Sequence, residues 1–95
     1  MGGSGMSGPT VPVRIPTPLR SYTGVSQVEA MGSTVIEVLD DLDRRFPGLK
    51  FRLVDEQGRL RRHMRIFVNT DVAAGLDQDL GPDDTVTLMQ ALSGG

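Results

Sequence analysis

Thr34-Val-Ile-Glu-Val-Leu-Asp-Asp-Leu-Asp-Arg-Arg-Phe-Pro-Gly48 is the stretch on which the fold turns. Thr34 followed three residues later by Glu37 has the spacing of a capping box: the Thr34 hydroxyl accepts from the Glu37 amide while the Glu37 carboxylate reaches back. Val35, Val38, Leu39, Leu42 and Phe46 recur at helical spacing and form one apolar stripe, leaving Asp40, Asp41, Asp43 and Arg44 as a polar face. Pro47-Gly48 stops the helix, because Pro cannot continue the hydrogen-bond ladder and Gly tolerates positive φ. A helix with one such stripe needs a second layer to bury it.

The flanking segments supply that layer. Val11-Pro-Val-Arg-Ile15 alternates apolar and polar residues and reads as a short strand, with Pro12 near its start or on an edge. Val25 to Met31 is a second strand, with Val28 and Ala30 on one face and Gln27 and Glu29 on the other, so the two make an N-terminal hairpin. After the helix, Phe51 to Val54 and Leu60 are short pieces around the Asp55-Glu-Gln-Gly58 turn. Arg65-Ile-Phe-Val-Asn69 is a strand with Ile66 and Val68 inward and Phe67 outward, followed by a turn at Asn69-Thr-Asp71. Asp77 to Asp84 is a polar loop, and Thr85-Val-Thr-Leu-Met89 is the last strand, with Val86 and Leu88 facing in. The expected architecture is a two-layer α+β domain, and a β-grasp if the first and last strands lie parallel at the centre.

Composition bounds what such a domain does. Ninety-five residues make one domain with a modest core and little room for a deep, dry catalytic pocket. The absence of cysteine excludes a disulfide, a Cys-based metal site and a thiol nucleophile. A net charge of −2 gives no general reason to expect nucleic acid or membrane binding. The charge is uneven, however: eight of the ten basic residues lie between Arg44 and Arg65, and five Asp but no Lys or Arg follow Arg65. No apolar run approaches the roughly 18 residues of a membrane span, so the expected location is the cytoplasm. Residues 1–10, nearly all Gly, Ser and Met, read as a flexible tag or linker with a second Met at position 6; residues 11–91 form the domain and 92–95 an extended, flexible tail.

Several features together resemble the ubiquitin-like sulfur carriers, the group that contains the ThiS, MoaD and CysO types. They are the Gly-Ser-Thr lead at 32–34, Ile66-Phe-Val-Asn69 with Asp71, the Leu80-Gly-Pro-Asp-Asp-Thr-Val-Thr-Leu88 approach to the last strand, and the final Gly94-Gly95. Ile15-Pro-Thr-Pro-Leu-Arg20, Tyr22-Thr-Gly24 and the 63–69 stretch look most like CysO-type carriers. Two positions depart from the pattern: Gln90 stands where Pro is frequent, and Leu92-Ser93 where Val-Ala is frequent.

The resemblance implies the ubiquitin-like β-grasp fold and a function centred on Gly95. In the family an E1-like enzyme uses ATP to adenylate the C-terminal carboxylate, and sulfur transfer then gives a thiocarboxylate. The carrier has no catalytic residues of its own and holds no permanent cofactor and no metal. Its implied partners are the activating enzyme, a sulfur-accepting synthase and, for a CysO-like role, a metalloprotease that releases cysteine. A thiosugar or another thio-metabolite is an equal destination; conjugation of Gly95 to lysines of target proteins, or a molybdopterin- or thiamin-type carrier role, is the alternative use of the same activation. The geometric demand on the chain is clearance. Four extended residues, Leu92 to Gly95, reach about 13 Å at about 3.3 Å each, and Gly94, after Ser93, lets the backbone approach catalytic groups closely.

The remaining residues of note are surface readings. Phe67, Met89, Ala91 and Leu92 are expected to form an exposed apolar patch leading to the tail, a candidate partner site unless a loop covers it. His63 sits among Arg59, Arg61, Arg62 and Arg65 without a second ligand in local spacing, which fits a solvated loop. That Arg cluster suits phosphate or an acidic partner surface, without the aromatic interleaving of a nucleic-acid stacking site. Tyr22 reads as a half-buried packing residue.

Overall fold

The structure, a computed structural model, describes residues 10–91. Five strands, β1 (Thr10–Arg14), β2 (Gln27–Met31), β3 (Met64–Val68), β4 (Asp71–Val72) and β5 (Val86–Gln90), form one mixed sheet in the order β2-β1-β5-β3-β4. β1 and β5 are parallel neighbours in the middle, with Val13 level with Val86 and Arg14 with Thr87. The other pairings are antiparallel. This is the β-grasp arrangement expected from the sequence.

The main helix, α2 (Val35–Arg45), lies across the inner face. Its stripe of Val35, Val38, Leu39 and Leu42 is fully buried against Val11, Val13, Ala30, Ile66, Val86 and Leu88 of the sheet. Phe46, at its end, is half-buried. Strand alternation explains the partition: β1 buries Val11 and Val13, β3 buries Met64, Ile66 and Val68, and β5 buries Val86 and Leu88. Pro12 is near the start of β1, as expected, on an interior strand. It is paired with Glu29 of β2, and β5 begins one residue further along, so no ladder donor is required of it there.

Several details differ from the sequence expectation. The connection within the N-terminal hairpin is itself folded: after Ile15 the chain makes a 3-10 turn (Thr17–Leu19) and a one-turn helix, α1 (Arg20–Thr23), before β2. Leu19 is buried by that excursion and Tyr22 packs half-buried on the core. The Thr34 hydroxyl accepts from the Glu37 amide at 3.3 Å, but the Glu37 carboxylate passes Thr34 and takes the Ser33 amide (2.8 Å) and hydroxyl (2.9 Å). Asp41 is not on a solvated polar face. It is 5% exposed, accepts from the Met31 amide at 3.0 Å and pairs with Arg44 and Arg45, so it ties α2 to the end of β2. Asp43 accepts from the Gly48 and Lys50 amides and thereby starts a further helix, α3 (Leu49–Leu53), immediately after the Pro47-Gly48 stop.

The polar loop before β5 also has a structural task. The Gln78 and Leu76 carbonyls accept from the Val35 and Ile36 amides at 3.1 and 2.7 Å, occupying first-turn donors that a helix cannot satisfy internally. Among the described residues no helix is long and apolar enough to cross a membrane.

Candidate functional site

The candidate site is the end of β5 and the surface around it. β5 starts from a rigid corner. Asn69, with φ of 59°, exchanges main-chain and side-chain bonds with Thr85: its amide donates to the Thr85 carbonyl at 2.7 Å and its Oδ1 accepts from the Thr85 amide at 3.0 Å. Its Nδ2 donates to Asp84, which also accepts from the Gly81 amide, both at 2.8 Å. These bonds favour the ionised form and hold the Asp84 carboxyl below the usual range, the Gly81 amide most and Asn69 next. The "Leu-Gly-Pro-Asp-Asp-Thr-Val" approach is therefore a clamp on the entry of the central strand.

At the other end, the Ala91 amide donates to the His63 carbonyl at 2.8 Å, so β5 stays tied to the start of β3 up to the last described residue. Leu92, Ser93, Gly94 and Gly95 lie outside the described residues, as do residues 1–9. Phe67 and Met89 stand on the outer sheet face, Phe67 half-buried and Met89 47% exposed; Ala91 is half-buried. Register places Phe67 opposite Thr87 and Met89 opposite Arg65, so the two apolar side chains are diagonal neighbours.

The sequence reading missed Val72. A two-residue loop, Asn69-Thr70, returns the chain as β4 and sets Val72 opposite Phe67, where it is 62% exposed. The available signal was Asn-Thr immediately after a strand, since Asn tolerates the positive φ that tight hairpins require. The apolar face is therefore Phe67, Val72 and Met89 across three strands, edged by Arg65 and, beyond Thr87, Arg14.

His63 is exposed, in a groove with Leu19, Phe51, Arg52, Arg61 and Gln90. Among the described residues no group of three or more His, Asp or Glu side chains is placed to hold a metal. The carboxylates with lowered pKa are Asp84, Glu37 and Asp55, each held down chiefly by main-chain amides: Gly81 for Asp84, Ser33 for Glu37 and Arg59 for Asp55. They sit in turns and caps. Asp40, Asp41 and Asp43 are engaged with Lys50, with Met31 and arginines, and with the start of α3 respectively. These acids build the fold and do not form an acid/base pair.

Comparison with known proteins bears on what this strand end does. Residues 13–95 match the model of the ThiS family. The chain is 37% identical over 91 residues to the sulfur carrier protein CysO of Mycobacterium tuberculosis, covering 90% of this chain and 98% of that protein. A chain in the crystal structure of the Amycolatopsis orientalis BexX/CysO complex superposes with a TM-score of 0.82 at 42% identity, covering 90% of this chain and 99% of that one. SAMP1 from Haloferax volcanii superposes with a TM-score of 0.77 at 26% identity, covering 90% and 99%. The helix-on-sheet core, the clamped central strand and the match over nearly the whole chain lead to one conclusion: this chain belongs to the ThiS family.

Proposed function

We propose that this protein is a sulfur carrier that works at the carboxylate of Gly95 and has no catalytic residues of its own. The observation that carries the reading is the family membership of a chain whose central strand, β5, is followed in the sequence by Ala91 and then Leu92–Gly95. A carboxylate is a poor acyl donor, so an E1-like partner adenylates Gly95 with ATP, and sulfur replaces the adenylate to give a thiocarboxylate. The sulfur sits on the main-chain terminus, which is consistent with a carrier that contains no cysteine. Gly94 and Ser93 give the tail a narrow profile in the partner's channel. Phe67, Met89, Ala91 and Leu92, with Val72, form the docking surface beside it.

Similarity to CysO favours a sulfur-accepting synthase that makes cysteine, followed by a releasing metalloprotease; a thiosugar-forming or other sulfur-accepting enzyme fits the same carrier. The likeness to SAMP1, a small archaeal modifier protein, supports a second reading, conjugation of Gly95 to lysines. Both begin with the same activation.

The test is intact mass after incubation with an E1-like enzyme, ATP and a sulfide source. The expected product is heavier by the difference between one sulfur and one oxygen, and deleting Gly95 abolishes it. No gain in the wild type, or a gain that survives the deletion, overturns the carrier reading. Peptides in which Gly95 is joined to a target lysine would identify the modifier role.

A further inference from the structure

We propose that the mouth of the tail is a cationic collar that docks onto carboxylates surrounding a partner's tail-accepting channel; this rests on the carrier reading. Two grooves meet at Gln90, the last residue of β5. One is lined by Arg14 and Arg20 together with Met89, the other by Arg52 and Arg61 together with Phe51. Arg65 stands opposite Met89 on the neighbouring strand. Five arginines thus lie around the last residues of β5.

Three of them are held in place by main-chain carbonyls. Arg20 Nε donates to the Ile15 carbonyl (3.0 Å), Arg61 Nε to that of Phe51 (2.7 Å), and Arg65 Nη1 to those of Arg62 and Met64 (2.7 and 2.8 Å). A guanidinium has five N–H donors, so each of these keeps donors for an outside acceptor. Among the described residues the three ion pairs all involve Asp40 or Asp41 with Arg44, Arg45 or Lys50, and none uses a collar arginine. Asp55 feels Arg61, but its Oδ1 accepts from the Gln57 and Arg59 amides.

Asp55 is the acid near Arg61, and two others stand at the opposite end of β5. Asp71 pairs with Val68, which is level with Val86 at the start of β5, and Asp84 clamps the same end. That is about 13 Å from Gln90 at about 3.3 Å per strand residue. A chain with a net charge of −2 therefore presents a positive face at its tail exit. The collar also carries exposed apolar side chains, Phe51 (55% exposed, under Arg61 at 4.5 Å from ring centroid to guanidinium carbon) and Met89. Arg, aromatic and Met side chains are the composition favoured at protein interfaces. The arginines are divided between two grooves, so they suit a broad acidic rim better than a single phosphate.

The test uses the full chain and an E1-like adenylating enzyme that accepts Mycobacterium tuberculosis CysO, with binding measured calorimetrically without ATP. Arg14→Glu/Arg52→Glu changes one exposed arginine in each groove, and neither makes a side-chain hydrogen bond among the described residues. A far-UV spectrum matching wild type establishes that the variant is folded. The expected result is a Kd raised about tenfold at about 50 mM salt, with the gap narrowing at about 300 mM as charges are screened. Adding Asp77→Lys/Asp83→Lys restores net charge without restoring the collar, and Kd should stay raised. A Kd within about twofold of wild type, recovery in the quadruple variant, or no binding by the wild type overturns the collar. Thiocarboxylate formation is read separately by mass: its absence with the binding pattern intact overturns the carrier reading and leaves the docking surface standing.

Discussion

At the scale of single residues, Gly32 shows how a motif that looks functional acts through packing. It leads the Gly-Ser-Thr run into α2 and has φ of 155°. A Cβ placed there would meet the Val38 amide nitrogen at 2.7 Å and the Glu37 carbonyl carbon at 2.9 Å. These are helix backbone atoms, which cannot rotate away as a side-chain tip does. Gly32→Ala is expected to cost about 2–3 kcal/mol of stability, read as a lower urea midpoint. An unchanged midpoint would mean that β2 and α2 can separate freely. Asp41 teaches a related lesson. Helical periodicity put it among polar neighbours, but the Met31 amide lies within its reach only because β2 ends there. The sequence pattern marks which face of a helix is apolar; it does not tell which acid on its border meets an unpaired amide.

At the scale of elements, the turn and cap carboxylates link loop geometry to pH. Asp84, Glu37 and Asp55 all have folded-state pKa values below their ordinary ones because main-chain amides stabilise the charge. A lowered carboxyl pKa contributes stability that is fully present above the unfolded value, about 4, and is lost as pH falls through the folded value. The melting temperature should therefore hold near neutral pH and fall from about pH 5 to pH 2. Asp84→Ala should melt lower than wild type at pH 7, with the difference shrinking in acid, as scanning calorimetry can check. A difference that stays constant with pH would remove charge from the clamp's role. The Asp55 turn was legible from sequence because its partners are two and four residues away. The Asn69–Asp84 bond spans fifteen residues and was not.

At the scale of the whole molecule, the sheet assembles from three strands an apolar face that no single segment contains. Phe67 is opposite Val72 and diagonal to Met89 because β3 lies between β4 and β5. Phe67→Asp is expected to leave the domain folded, by far-UV spectrum, and to lower kcat/KM for partner-dependent thiocarboxylate formation about tenfold, or about 1.4 kcal/mol. An unchanged kcat/KM would remove this face from the docking surface. The capped amphipathic helix, the alternating strands and the apolar core positions were readable in the sequence, because periodicity, capping and turn chemistry act over a few neighbouring residues. The α+β class followed from them, and the family resemblance supplied the chemistry. The tertiary structure decided the rest: that Val72 joins Phe67, that Asp41 is buried, and that Arg14 and Arg20 meet Arg52 and Arg61 around Gln90. The hairpin of β3 with β4 sets the first, the packing of α2 on the end of β2 the second, and the placing of β1 and β3 on either side of β5 the third, and none of these is a short-range pattern.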